Sequence, residues 1–253
     1  MIKLSRSKLE LFTKCPRCFW LDVKMGVKRP QSPPYTINSA IDYLLKQEFD
    51  VYRKLKKPHP IMAARNLNAI PFDHPDINTW RHNFTGVQFD HKESGFHFYG
   101  AVDDVWVTSE DELMVVDYKS TGANEHHVRD EYKRQMEIYQ WLLSQNGFAV
   151  LPRGYFVYAR VNKGDGFSPK ELEEQDGERG MLPFHIFLES YDGDRSWVEG
   201  SLMKARKVYD GDTAPTPSAE CEYCAYIRGV GEADDGKPTV KTRTPKKNYG
   251  LFA

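Results

Sequence analysis

Apolar positions recur at helical spacing near both ends of the chain and at strand spacing through its middle. The opening "LSRSKLELFTKCPRCFWLDVK" carries helix-start chemistry: Ser5 or Ser7 stands as N-cap, and Glu10 completes a capping box three residues after Ser7. Beyond the Pro-rich "KRPQSPPYT", the residues Ile37, Ile41, Leu44, Leu45, Phe49, Tyr52 and Leu55 predict a second helix that ends near "KKPHP". Residues 56–90 lack sustained periodicity and read as loop with short helical pieces. From residue 95 the aromatic and β-branched runs "GFHFYGAVDDVWVT" and "ELMVVDYKS" predict two strands joined through the polar turn "SEDE". A helix over about 126–146 comes next, with Tyr132, Met136, Tyr139 and Leu143 on one stripe and Gly147 as its stop. Then come a strand "GYFVYARV", set parallel to its predecessor by a helix-length crossover, a strand "LPFHIFLES", and a helix over about 194–209. The order is α-α-β-β-α-β-β-α.

Composition narrows the class. With 253 residues, 40% hydrophobic and 13% aromatic, the chain can bury a sizeable core, and no run approaches the roughly 18 apolar residues of a spanning helix. The opening residues lack a signal-peptide pattern, so the expected setting is cytoplasmic, with no membrane partner. A net charge of -1 means that contact with nucleic acid would come from a local groove, not from the global field. Residues 229–253 lose apolar pattern and read as a flexible tail, whose Tyr249, Leu251 and Phe252 could dock a protein partner.

The candidate chemistry lies in two places. In "VVDYK", strand periodicity puts Asp117 and Lys119 on one face, with Val116 and Tyr118 on the other. The preceding strand offers a second acid at Asp103 or Asp104, and the hairpin brings Asp103 near Asp117. Two converging carboxylates beside a lysine suit Mg²⁺ or Mn²⁺, hard ions that take oxygen ligands and keep water for chemistry. The next helix adds Gln135 and Tyr139, one turn apart on one face. The second place is a pair of C-x-x-C motifs, Cys15 with Cys18 and Cys221 with Cys224, one near each end of the chain. In a reducing compartment such pairs point to a metal site, and two pairs can share one centre if the termini meet.

The series "GAVD", "VVDYK" and "QMEIY" resembles the PD-(D/E)XK nuclease superfamily in its RecB-like branch, and the cysteines framing it resemble the iron–sulfur exonucleases of that branch, including the CRISPR-associated kind. The resemblance implies an α/β, restriction-endonuclease-like core: a mixed central sheet flanked by helices, with a helical N-terminal region and a cysteine-ligated metal site joining the termini. It spans 1–228 as one domain, with a helical part at 1–92, a catalytic core at 93–192 and a C-terminal helix and cysteine pair at 193–228. It implies a metal-dependent deoxyribonuclease of DNA repair, recombination or phage and CRISPR-related context, with single strands or ends favoured. An inactive nucleic-acid-binding or assembly module of the same fold is the alternative. In that frame Asp103 and Asp117 are metal ligands, the main-chain carbonyl of Tyr118 adds a third oxygen, Lys119 holds or activates water, and Gln135 and Tyr139 position the DNA backbone or brace the site. Asp42 stands where the branch carries a metal-binding histidine. The branch places one cysteine early and three late, whereas this chain has two and two, so both a [4Fe–4S] cluster and Zn²⁺ remain open. Lys24, Lys28, Arg29, Lys133 and Arg134 are candidate phosphate contacts.

Overall fold

The computed structural model describes residues 1–30, 33, 35–123, 127–164 and 181–236. It divides into two compact units, Met1–Arg6 with Ser32–Gly200, and Ser7–Gln31 with Ser201–Ala253.

The first unit is built on two sheets. One is five-stranded in the order β2-β5-β6-β7-β8, from β2 (Ala69–Pro71), β5 (Asp104–Thr108), β6 (Leu113–Thr121), β7 (Arg153–Val161) and β8 (Phe184–Asp192). The hairpin β5/β6 is antiparallel; β6 and β7 run parallel, joined by helix α6 (Asp130–Gln145), as a crossover requires. The mixed sheet with flanking helices is the architecture expected of the sequence. The other sheet has the order β1-β4-β3, from β1 (Ile2–Ser5), β3 (Val87–His91) and β4 (Phe96–Gly100). One face of β6 turns Val116 and Tyr118 into a core with Ile41, Leu45 and Phe49 of helix α3 (Thr36–Leu55). The opposite face lies toward α6, which comes so close that a Cβ on Gly154 of β7 would collide with Met136 Sδ.

Several expectations change. The run "GFHFYGAVDDVWVT" is not one strand: it breaks after Gly100, and its halves β4 and β5 lie in different sheets. A Cβ on Gly100 would come within 2.8 Å of the Tyr139 ring, so the break falls where α6 crowds the backbone. Strands β1, β2 and β3 were not expected. β1 is four residues whose pairing with β4 comes from far along the chain, and β2 is an edge strand of three residues ending in Pro71, where a missing N–H costs no ladder bond. The short helices α4 (Pro60–Ala63) and α5 (Ile77–Trp80) match the helical pieces expected there. On α3 the buried stripe is Ile41, Leu45, Phe49 and Arg53; Ile37, Leu44 and Leu55 are exposed. Helix α6 starts at Asp130 because Arg129 is extended, and Asp130 and Glu131 fill its first turn, where acids oppose the positive end of the helix dipole. His127 therefore precedes the helix, and His126 lies outside the described residues.

The second unit holds most of α1 (Arg6–Lys14), α2 (Pro16–Phe19), a π-helical turn Trp20–Lys24, most of α7 (Trp197–Asp210) and α8 (Glu222–Asp234). Trp20 Nε1 and Lys24 Nζ both donate to the carbonyl of Gly211, at 2.9 and 2.6 Å, tying its two chain segments together. Helix α8 carries regular structure past residue 229, into the stretch read as tail; Tyr249, Leu251 and Phe252 lie outside the described residues.

Candidate active site and cysteine centre

Asp104 pairs with Val116 in the β5/β6 ladder, so Asp103, one residue further out, falls level with Asp117. The two neighbours point to opposite environments. Asp104 is fully buried: its carboxylate pairs with Arg53 and Arg81 and accepts from Tyr118 Oη at 2.7 Å and from the Val105 amide at 2.8 Å. Asp103 is half-buried and accepts from the Tyr118 amide at 2.9 Å, which turns its carboxylate to the Asp117 side of the hairpin. Of the two acids the sequence offered, Asp103 is the one at the site.

Asp117 is fully buried and forms an ion pair with Lys119, two residues along the same strand face. Gln135 Nε2 donates to Asp117 Oδ1 at 2.8 Å and to Tyr139 Oη at 3.1 Å, so the helix pair expected from spacing does meet the acid. Burial pushes the Asp117 carboxyl up to about 7, with Asp103 adding repulsion and Lys119 opposing both. For Lys119 burial works against the charge, yet Asp117 and Asp103 outweigh it and the ammonium is held more firmly than usual. Its Nζ also sits 4.6 Å from the Tyr132 ring centroid. Tyr139 is buried, which raises its phenol pKa.

Asp42 comes to the same place from α3. Its Oδ2 accepts from Lys46 Nζ at 2.7 Å, and the same ammonium lies 3.5 Å from Asp103 Oδ1. Burial and the nearby Asp103 raise the Asp42 pKa against the pull of Lys46. Lys46 is a site residue that periodicity did not single out; its only signal was its position one turn after Asp42. Arg81 is another: it donates to both oxygens of Asp50 at 2.8 and 2.9 Å and to the main-chain carbonyl of Asp103 at 2.9 Å. It thereby fixes the backbone at the start of β5.

The donor set fits a hard divalent cation. The buried Oδ2 of Asp117 accepts no well-angled hydrogen bond and is left facing the Lys119 ammonium, and Asp103 presents a second carboxylate beside it.

In the second unit each C-x-x-C motif opens a helix, Cys15 preceding α2 and Cys221 preceding α8, so the second cysteine of each pair lies in the first turn and returns toward the first. The four sulfurs lie within 4.8 Å of one another, with Cys15–Cys224 at 3.8 Å, Cys18–Cys221 at 3.7 Å and Cys18–Cys224 at 3.3 Å. Burial opposes ionisation of Cys15, but backbone hydrogen bonds from Cys18 and Ser218, together with the Cys221 and Cys18 side chains, outweigh it and bring the thiol down to about 7. Burial raises the Cys18 and Cys224 thiols. Of the candidate phosphate contacts, Arg29 Nη2 donates to Cys221 Sγ at 3.1 Å and Lys24 Nζ donates to the Gly211 carbonyl at 2.6 Å. Lys133 pairs with Asp130 at 3.2 Å; Lys28 is exposed. Among the histidines, His59 caps α4 by accepting from the Ile61 amide and stacks on Phe49, a packing role.

No curated protein sequence matches the chain. Among solved structures, the crystal structure of SSO0001 matches at 15% identity, covering 90% of this chain and 85% of that one, with a TM-score of 0.42. No described helix is long and apolar enough to cross a membrane. The profile of the PD-(D/E)XK nuclease superfamily matches residues 3–228, nearly the whole chain, and the protein belongs to that superfamily.

Proposed function

We propose that the protein is a Mg²⁺- or Mn²⁺-dependent deoxyribonuclease of the RecB-like branch that hydrolyses phosphodiesters in single strands or at DNA ends. The observation that carries this reading is the meeting of Asp103, Asp117, Lys119 and Gln135 at the open end of the β5/β6 hairpin. Asp103 and Asp117 would hold the ion, with the Tyr118 carbonyl and Asp42 as further oxygen donors. The ion would shield the phosphate charge and lower the pKa of the water it carries. Because Asp117 and Asp103 keep Lys119 protonated, its ammonium serves as a donor that orients the attacking water and meets the charge growing on the phosphate oxygens, not as a base. Gln135 holds Asp117 through Oδ1, leaving Oδ2 for the ion, and Tyr139 braces Gln135.

The preference for single strands or ends rests on the resemblance of the site series to the RecB-like branch; beside the lysine, Asn38, Asp42, Tyr118, Lys119 and Tyr132 line a small open pocket of about 100 Å³. At the cysteines, the sulfur separations, from 3.3 Å up to no more than 4.8 Å, bracket the roughly 3.8 Å between ligands held at about 2.3 Å around one tetrahedral ion. A [4Fe–4S] cluster spreads its four thiolates around a larger body, so we favour Zn²⁺. Its role would be to clasp the two segments of the second unit.

The test is incubation of purified protein with end-labelled and circular DNA, single- and double-stranded, in Mg²⁺, Mn²⁺ or EDTA. Cleavage of linear single strands that stops in EDTA is the expected result. A folded protein that binds every substrate and cleaves none in either metal would instead mark an inactive binding module.

A further inference from the structure

Lys46 Nζ lies between two carboxylates from different elements, 2.7 Å from Asp42 on α3 and 3.5 Å from Asp103 at the start of β5. The nuclease reading asks both acids to face a divalent ion, and an ammonium occupies the space between them. The two demands conflict in charge. Asp42 and Asp103 carry two negative charges, of which Lys46 balances one; a divalent ion balances both and leaves the ammonium in surplus a few ångströms from like charge. The neighbouring Arg81 does not change this, since Asp50 and Asp104 already balance it and Arg53, and Lys119 is paired with Asp117.

Lys46 also has somewhere to go. An open cleft of about 530 Å³ borders its side chain, lined by Tyr43, Gln47, Asn78, Arg81 and His82 together with Asp42 and Asp50. That volume admits a nucleotide, and Asn78 and the outer N–H of the Gln47 amide, whose Nε2 also donates to Tyr43 Oη at 2.8 Å, offer donors for phosphodiester oxygens. Lys119 is held between Asp117 and the Tyr132 ring and borders only smaller pockets, the larger of about 160 Å³. A lysine suits the exchange because a four-carbon stem carries a compact charge through several ångströms.

We propose that Lys46 is a movable cation of this site: it holds Asp42 to Asp103 when no divalent ion is present, and turns into the adjoining cleft to contact the phosphate flanking the scissile one when the ion binds. The proposal rests on the nuclease reading and deepens it. The experiment measures Mn²⁺ binding without DNA, by the loss of the free-ion electron paramagnetic resonance signal, and cleavage of single-stranded DNA at saturating Mn²⁺. The proteins are wild type, Lys46→Met, Lys46→Gln and Lys46→Arg, with Asp103→Asn marking which binding belongs to this site. Removing the ammonium should tighten Mn²⁺ binding roughly tenfold, because a competing charge is gone, and should lower turnover at saturating metal by about tenfold, because a phosphate contact is gone. Lys46→Arg should restore most of the turnover. Two neutral variants that are folded by thermal melt and match wild type in both Mn²⁺ affinity and turnover overturn the proposal while leaving the nuclease reading intact. Weaker Mn²⁺ binding in both also overturns it, since Lys46 would then support the metal site. Wild type that neither binds Mn²⁺ through Asp103 nor cleaves overturns the nuclease reading, and this proposal with it.

Discussion

Four sulfurs from two short segments lie within 4.8 Å of one another in the second unit, whereas the carboxylates of Asp42, Asp103 and Asp117 in the first are each held by an ammonium of the protein itself. Among the described residues only the cysteines form a group of three or more potential ligands gathered so tightly. The difference arises from protonation. Thiols ordinarily titrate above pH 7, and although Cys15 is brought down to about 7, burial raises Cys18 and Cys224, so the group can cluster at modest electrostatic cost, while ionised carboxylates repel and need countercharge to approach. A site that must keep its ion suits the first arrangement. A site that must admit an ion and a substrate together suits the second, because its lysines hold the acids in place and remain available to phosphate.

The comparison can be broken most forcefully at the cysteines. Metal analysis should find about one zinc per chain and little iron, and a strong chelator or Cys18→Ser should release it. Since the binding energy of a structural zinc is folding energy, on the order of 10 kcal/mol in small domains, hydrogen exchange should then rise across residues 7–30 and 201–236. Iron at about four per chain, or unchanged protection after complete metal loss, would contradict this account.

Next in size is the lysine of the acidic site. Lys119→Met should reduce cleavage by about 10³-fold, on the scale of losing a preorganised donor to a developing oxyanion, and leave the zinc content unchanged. Normal turnover by this variant, with contaminating nuclease excluded, would remove Lys119 from the chemistry.

A pair of adjacent substitutions then separates site from scaffold. Asp104→Ala leaves Arg53 and Arg81 buried without the carboxylate they share and should cost about 3–5 kcal/mol in urea unfolding. Asp103→Ala, at a half-buried position, should cost under about 1 kcal/mol in stability while abolishing cleavage. Equal destabilisation by the two would mean that the hairpin does not divide their roles.

The smallest effect concerns pH. With its carboxyl raised to about 7, Asp117 keeps in the folded protein a proton that the unfolded chain releases near pH 4. Folded protein thus binds more protons across that window, so this group's stabilising contribution is full below about pH 4 and is lost as pH rises through 7. In EDTA the unfolding free energy should therefore carry a downward contribution from pH 5 to pH 8, on the order of 2 kcal/mol, read as a falling melting temperature. Mg²⁺, which needs the ionised acid, should stabilise more at pH 8 than at pH 5. Asp117→Asn should remove both trends, and their persistence in that variant would assign them to another group.

Much of the site was legible because its signals are local. The period of two along β6 put Asp117 beside Lys119, the helical period of α6 put Gln135 beside Tyr139, and each C-x-x-C spacing brought its own two sulfurs together. The superfamily could be read from that series in order. What stayed illegible depended on partners distant in the chain. Asp103 and Asp104 are chemically identical neighbours; hairpin spacing pointed to Asp103, but the partners that hold Asp104 in the core, Arg53 and Arg81, come from distant segments and could not be read. Lys46 looked like any lysine on a helix surface until packing of Ile41, Leu45 and Phe49 set the rotation of α3 and turned Asp42 and Lys46 toward Asp103. Periodicity states which residues share a face; the elements packed around that face decide what it meets, and those contacts form only when segments far apart in the chain come together.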